Sequence, residues 1–179
     1  NSFYYRGEAK EISQGERAGC ADFVESCDLE LELGCERYDK LCYPQTGYMP
    51  YKKYFGEGLH NGDRWIDLDN TQSTTDALVV LKNINTGVRV RSQFIRKGEK
   101  LTMSNIPSGY YELKTFSGNA WAYDKIMSVE YKIKGGFTED IKCKMTSVNL
   151  VDFISMELGF NVIGGDLKPE SITFDEFMQ

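Results

Sequence analysis

From Arg64 onward, apolar and polar residues alternate in short blocks separated by turn residues. "RWIDLDN" at 64–70 places Ile66 and Leu68 on one face, the two-residue period of a half-buried strand. "DALVVLKN" at 76–83 is almost continuously apolar and has the length of a buried central strand. The "NTG" at 85–87 supplies a hairpin turn in which Gly87 can take a positive φ, and "VRVRSQFIR" is the return strand. The chain turns again at Gly98, "KLTMSNI" gives a further strand, "PSG" at 107–109 makes a turn with its proline preset, and "YYELKTFSG" follows as the next strand. After an expected loop, "NAWAYDKIMS", the segments "VEYKIKGGF", "TEDIKCKMT" and "VNLVDFISMELGFNVIG" supply two or three more strands. Short turns without intervening helices predict an all-β fold, an antiparallel two-sheet sandwich of seven or eight strands over about 62–165. In the tail, Thr173 followed three residues later by Glu176 reads as a helix start or, equally, as part of an edge strand.

The first fifty residues follow a different pattern. Four of the five cysteines, Cys20, Cys27, Cys35 and Cys42, fall within this stretch, while Cys143 stands alone a hundred residues later. We therefore expect an irregular or partly helical cysteine-bearing segment, 1–50, attached to a sandwich domain, 51–179. Cys20, Val24, Cys27, Leu31 and Cys35 share a helical face, which favours a helix over 16–28. The alternation of Leu29, Leu31 and Leu33 with Glu30 and Glu32 reads as a strand, so 29–42 has two readings. "PQTGYMPYKKYFGEGLHNGD" looks like a connecting loop.

Composition adjusts this picture in three ways. The 13% of aromatic residues suits half-buried pleated surfaces. A net charge of −6 offers no basic excess for neutralising phosphates, which argues against nucleic-acid binding; the alternating Arg89 and Arg91 read as a solvent-facing strand side. No apolar run approaches the ~20 residues needed to span a bilayer as a helix. The chain begins without Met and without an apolar signal core, as a fragment or a processed mature form would.

The arrangement "ALVVLKNINTG … FIRKGEKLTMSNIPSGYYELKTFSG" resembles the β-sandwich modules called carboxypeptidase regulatory-like or transthyretin-like. The likeness rests on a corner made by Ile106, Pro107, Gly109, Tyr111 and Leu113. The longer pattern with Gly118, Trp121 and Gly135-Gly136-Phe137 is similar to a group of uncharacterised Bacteroides-type proteins, over about Tyr51 to Gln179. The resemblance implies a prealbumin-like sandwich and brings no activity with it.

Candidate chemistry is sparse, and neither a catalytic constellation nor a cofactor motif emerges. His60, the sole histidine, lies in a glycine-flanked polar loop without an evident nucleophile or orienting partner. The four clustered cysteines, spaced Cys-x6-Cys, x7, Cys-x6-Cys, lack the short gap with which adjacent thiolates grip zinc, so disulfides are the favoured reading over a metal site. If 20–27 and 35–42 form two antiparallel helical arms, the pairing is nested, Cys20 with Cys42 and Cys27 with Cys35. Disulfides require an oxidising compartment, which points to a secreted or cell-envelope protein. Cys143, flanked by lysines, is read as buried or free. Asp63, Asp67 and Asp69 are the nearest approach to a calcium cluster but lack the loop spacing of known sites. Lys82, Asn149 and Glu112 raise the thought of an isopeptide crosslink. The most plausible functional surface is aromatic: Tyr110, Phe116, Trp121 and Tyr123, with loop 117–127 meeting a protein or glycan partner. The competing reading makes Trp121 a plug over the core. The function expected is a non-catalytic binding or accessory module, with edge-strand assembly and a carboxylate-based hydrolase as alternatives.

Overall fold

The structure, a computed structural model, describes residues 2–15, 18–153, 155–159 and 169–179. Internal contacts divide the chain into two compact units, Asn1–Pro44 and Gln45–Gln179. The division falls ahead of residue 50 because 45–50 is stitched to the second unit: Gly47 N–H donates to Phe94 O and Phe94 N–H to Tyr48 O.

The first unit is helical: α1 (Ser2–Gln14), α2 (Cys20–Asp28) and α3 (Glu32–Leu41). The expected helix over 16–28 is present from Cys20, while Glu16 and Arg17 lie outside the described residues. The stretch 29–42, which had two readings, is predominantly helix. Disulfides join Cys20 to Cys42 and Cys27 to Cys35, the nested pairing that an antiparallel helical hairpin demands. Helices α1 and α2 approach closely at Gly7 and Gly19; a Cβ on Gly7 would lie 2.6 Å from the Phe23 ring. The Asp22 carboxylate is buried, accepts a 2.7 Å hydrogen bond from Arg6 Nε and pairs with Lys10 at 2.7 Å.

The second unit holds the short helix α4 (Lys52–Phe55), eight strands and a terminal helix α5 (Phe174–Met178). The strands are β1 (Arg64–Asp69), β2 (Asp76–Asn83), β3 (Arg89–Ile95), β4 (Lys100–Ile106), β5 (Tyr110–Ser128), β6 (Ile133–Asn149), β7 (Ser155–Gly159) and β8 (Glu170–Ser171). One sheet has the order β4-β1-β7 and the other β3-β2-β5-β6-β8. Pairing is antiparallel throughout, with one departure from expectation: β1 and β7 run parallel. Residues 160–164, expected to extend the last strand, lie outside the described residues.

The sheets face each other over one core, to which β1 and β4 contribute Ile66, Leu68, Met103 and Ile106, and β2 and β5 contribute Val79, Leu81, Tyr111 and Leu113. The five-stranded sheet is buried on its other face too. There the cross-strand row Phe94, Leu78, Phe116 and Cys143 runs beneath α4 and α5. Phe116 packs on Phe174 and Phe177 with ring centroids 4.9 and 5.6 Å apart, and Phe55 meets Phe177 at 6.2 Å. Burial on both faces explains why β2 reads as continuous apolar sequence.

Both readings of the tail are realised. Glu170–Ser171 pairs with β6, and Thr173 opens α5 with a reciprocal capping box with Glu176. The far end of α5 is held by two cations: Lys114 Nζ donates to Glu176 O at 2.8 Å and Arg89 to Met178 O at 2.7 Å. Arg91, expected on a solvent-facing side, is instead buried. It donates to the carbonyls of Leu59, Val90, Ser104 and Asn105, closing the corner between β3 and β4.

Candidate functional site

The expected contact loop 117–127 is not a loop. Strand β5 runs unbroken in pairing with β6 through this stretch, with register shifts after Ser117 and after Ala122. Gly118 does not end the strand; a Cβ there would lie 2.6 Å from Phe137 Cβ, so glycine permits close approach of β6. The irregularity is absorbed by bulges, at which Ala120 and Asp140 take positive φ.

This continuation sends Trp121 inward. The indole is 4% exposed and packs edge-on against Phe94 and Phe137, with centroids 5.3 and 5.1 Å away, and against Tyr51 at 6.2 Å. Gly135, at φ +94°, lies directly beneath it: a Cβ there would approach Trp121 Cζ2 to 2.8 Å. Tyr51, in the stretch read as a loop, donates its hydroxyl to Gly135 O at 2.6 Å, and burial raises its phenol pKa above the ordinary range. Phe116 is fully buried and Tyr123 half-buried. Trp121 and Phe116 therefore belong to the aromatic core and offer no contact surface, and the sign of this is the matching ring at Phe137 directly across the hairpin.

Tyr110 differs. It is 45% exposed and eleven residues before Trp121 on the same strand, about 35 Å away at the rise of an extended chain. At its end of the sandwich three loops and the start of β1 converge, carrying the exposed side chains of Trp65, Ile84, Val88, Tyr110, Val151 and Phe153. Sequence reading found only Tyr110 among them; the others are apolar residues at the ends of strands or in turns, where they lack the alternation that marks a pattern.

Hydrogen bonds fix these loops against one another. Asn83 Oδ1 accepts from the amides of Asn85 and Thr86 at 3.0 Å, shaping the β2–β3 turn. Ile84 N–H donates to Tyr110 O at 2.9 Å, and Leu150 N–H to Gly109 O at 2.9 Å. Leu150 O in turn accepts from Ser108 Oγ at 3.1 Å and Arg64 Nε at 3.3 Å. Tyr111, fully buried, donates its hydroxyl to Pro107 O, locking the corner from within. The 151–153 turn is ordered by Asn149, whose Oδ1 accepts from Val151 N–H at 2.9 Å and whose Nδ2 donates to Asp152 at 2.8 Å.

That last contact also removes the crosslink idea. Lys82 faces Glu112 on the neighbouring strand, whereas Asn149 lies two strands from Lys82 and is engaged with Asp152. The three aspartates that come nearest to a calcium cluster in the sequence are each engaged elsewhere: Asp63 pairs with Arg64 at 3.0 Å, Asp67 accepts from Thr102, and Asp69 pairs with Lys100 at 2.6 Å. Lys100, aided by Thr71, pulls the Asp69 pKa down to about 2. Asp22, Glu57 and Glu176 are also held below the ordinary carboxylate range, the opposite of what a general acid needs. His60 is exposed, with Nε2 3.3 Å from Glu57 O. Cys143 is buried as a thiol, and desolvation pushes its pKa up to about 11 despite the flanking lysines.

No family model, no curated protein and no solved structure matches this chain. What the fold defines directly is a mostly-β, two-sheet unit with a helical unit before it that carries two disulfides, and no described helix is long and apolar enough to cross a membrane. The disulfides suit an extracellular or otherwise oxidising environment.

Proposed function

We propose that this chain is a non-catalytic contact module of a secreted or cell-envelope protein, and that it meets its partner through the sandwich end formed by Trp65, Ile84, Val88, Tyr110, Val151 and Phe153. The observation that carries this reading is six exposed apolar side chains on loops and strand ends that are tied together by hydrogen bonds at one end of the sandwich. Isolated exposed apolar residues are ordinary; a group on one preorganised face is the usual mark of an interface. Aliphatic Ile84, Val88 and Val151 favour a protein surface over a glycan, which asks for polar groups beside its stacking rings. The prealbumin-like assignment is part of the same proposal, supported by two facing sheets and the corner at Pro107, Gly109 and Tyr111.

Assembly through an edge strand draws less support. Among the described residues, β8 pairs with β6 only at Lys144 and Met145, which leaves 133–142 as candidate edge. That edge is interrupted by the positive φ at Asp140 and lined by Glu139, Asp140 and Lys142, devices that discourage strand addition.

The test is site-specific photocrosslinking on intact cells of the source, with a photoreactive phenylalanine analogue at Tyr110 or Phe153, and at Ile126 as control. A discrete protein adduct from positions 110 and 153 and none from 126 is expected. Adducts from 126 alone, or none at 110 and 153, would overturn the assignment.

A further inference from the structure

We infer that the first unit, Asn1–Pro44, is an oxidation-dependent module: it is folded only while its two nested disulfides are closed, and it opens on reduction while the second unit stays folded. Its interior is too slight to hold without them. Among the described residues of this unit, Phe23 is the one large apolar side chain that is fully buried, alongside the half-cystines Cys20 and Cys42. The other buried positions among the described residues are Gly7, Gly19, Gly34 and Pro44, the Asp22 carboxylate and the hydroxyl of Ser26, which has no hydrogen-bond partner. Meanwhile Tyr5, Ile12, Leu29 and Leu33 are exposed, and Phe3, Tyr4, Val24, Leu31 and Leu41 are only half-buried, so little apolar surface is committed to a core. A unit of roughly 40 residues sits at the size where crosslinks substitute for a core.

The placement of the bonds decides how it opens. Both crosslinks tie α2 to α3, and α1 has no cysteine. Helix α1 is instead held by the contact of Gly7 and Tyr4 with the Phe23 ring and by charge, through Arg6 and Lys10 on Asp22 of α2 and through Glu11, which accepts from Arg37 of α3 at 2.7 Å. The Glu11–Arg37 pair needs α2 and α3 side by side and the Arg6 and Lys10 pairs need a formed α2, so loss of the disulfides removes the frame on which α1 is held and releases all three helices. The second unit has no such dependence: its cysteine is a thiol, and its two cores are built from strands and rings.

The chemistry is thiol–disulfide exchange with a dithiol. A thiolate of the reductant attacks one sulfur and displaces the other as thiolate; its second thiol closes on the mixed disulfide. Each S–S bond thus takes up two electrons and two protons, giving two cysteine thiols while the dithiol is oxidised to a cyclic disulfide.

Amide exchange of the full chain, with and without dithiothreitol and in the absence of denaturant, tests the inference. A parallel alkylated sample read by mass confirms that four cysteines have been reduced and that Cys143 remains unlabelled. Amides of α1–α3 are expected to exchange faster by at least about 100-fold after reduction, a modest effect for two lost disulfides, with β2 and β5 amides unchanged. Undiminished protection in α1–α3 once four cysteines react would refute the claim. Simultaneous loss of protection in β2 and β5 would refute the independence of the two units.

Discussion

Replacing Trp121 by Ala separates a core role from a surface role more sharply than any other single change. The indole is enclosed by Phe94, Phe137, Tyr51 and the backbone of Gly135, so truncation leaves a void with rings on at least three sides. Large-to-small changes at buried aromatic positions cost about 3–5 kcal/mol, against a total of about 5–15 for a typical domain. With a urea dependence of about 2 kcal/mol per molar, the unfolding midpoint should drop by about 1.5–2.5 M. Trp65 remains as a reporter, since it lies at the other end of the sandwich, and near-ultraviolet circular dichroism gives an independent reading of the aromatic core. Tyr110→Ala is the control, with a change within about 0.5 kcal/mol expected for an exposed side chain. A Trp121→Ala protein whose midpoint matches the parent would mean that the indole is peripheral, and would return the aromatic surface to β5.

Three further outcomes are expected. Thr173→Ala removes one arm of the α5 capping box and should cost about 1 kcal/mol, with protease sensitivity rising first at α5 in limited digestion. Burial alone would raise the Asp22 pKa, but hydrogen bonds from Arg6 and Lys10 outweigh it and hold the folded value below the unfolded one; stability from this group is complete above the unfolded carboxylate pKa and is lost as pH falls through the folded one, so α1 amides should lose protection in acid, and Asp22→Asn should abolish that pH dependence. Cys143, with its pKa near 11 and its side chain covered, should resist iodoacetamide at pH 8 in native protein and react at once in urea; rapid native labelling would place it at the surface.

Strands β1 to β4 were legible almost residue for residue, because each is short and either alternating or largely apolar, and β2, β3 and β4 are closed by turns at Gly87, Gly98 and Pro107. The nested disulfides were legible only on a condition, that 20–27 and 35–42 form paired helical arms, and the sequence left 29–42 open between helix and strand. What failed was everything set by distant partners. Gly118 carries the local signal of a strand end, yet its role is to admit Phe137 from another strand. Trp121 had two readings, a contact residue or a plug over the core, and only the fold selects the inward one, because Tyr51, which covers that face, lies in a stretch whose composition says loop. The parallel partner of each β1 residue lies ninety residues downstream, where sequence offers no turn to announce it. The apolar end escaped notice because its members are scattered over four segments and become neighbours only through the fold.

The double burial of the five-stranded sheet has a bearing on how this protein can change. Val79 and Val80 are consecutive in the chain, yet one belongs to the interior between the sheets and the other to the side beneath the helices. Residues that touch in sequence thus serve separate interiors, while Val79 and Met103, far apart in the chain, share one. Substitutions can accumulate and compensate within one interior without disturbing the other, so β2 is a dividing wall whose two sides are free to drift on independent histories.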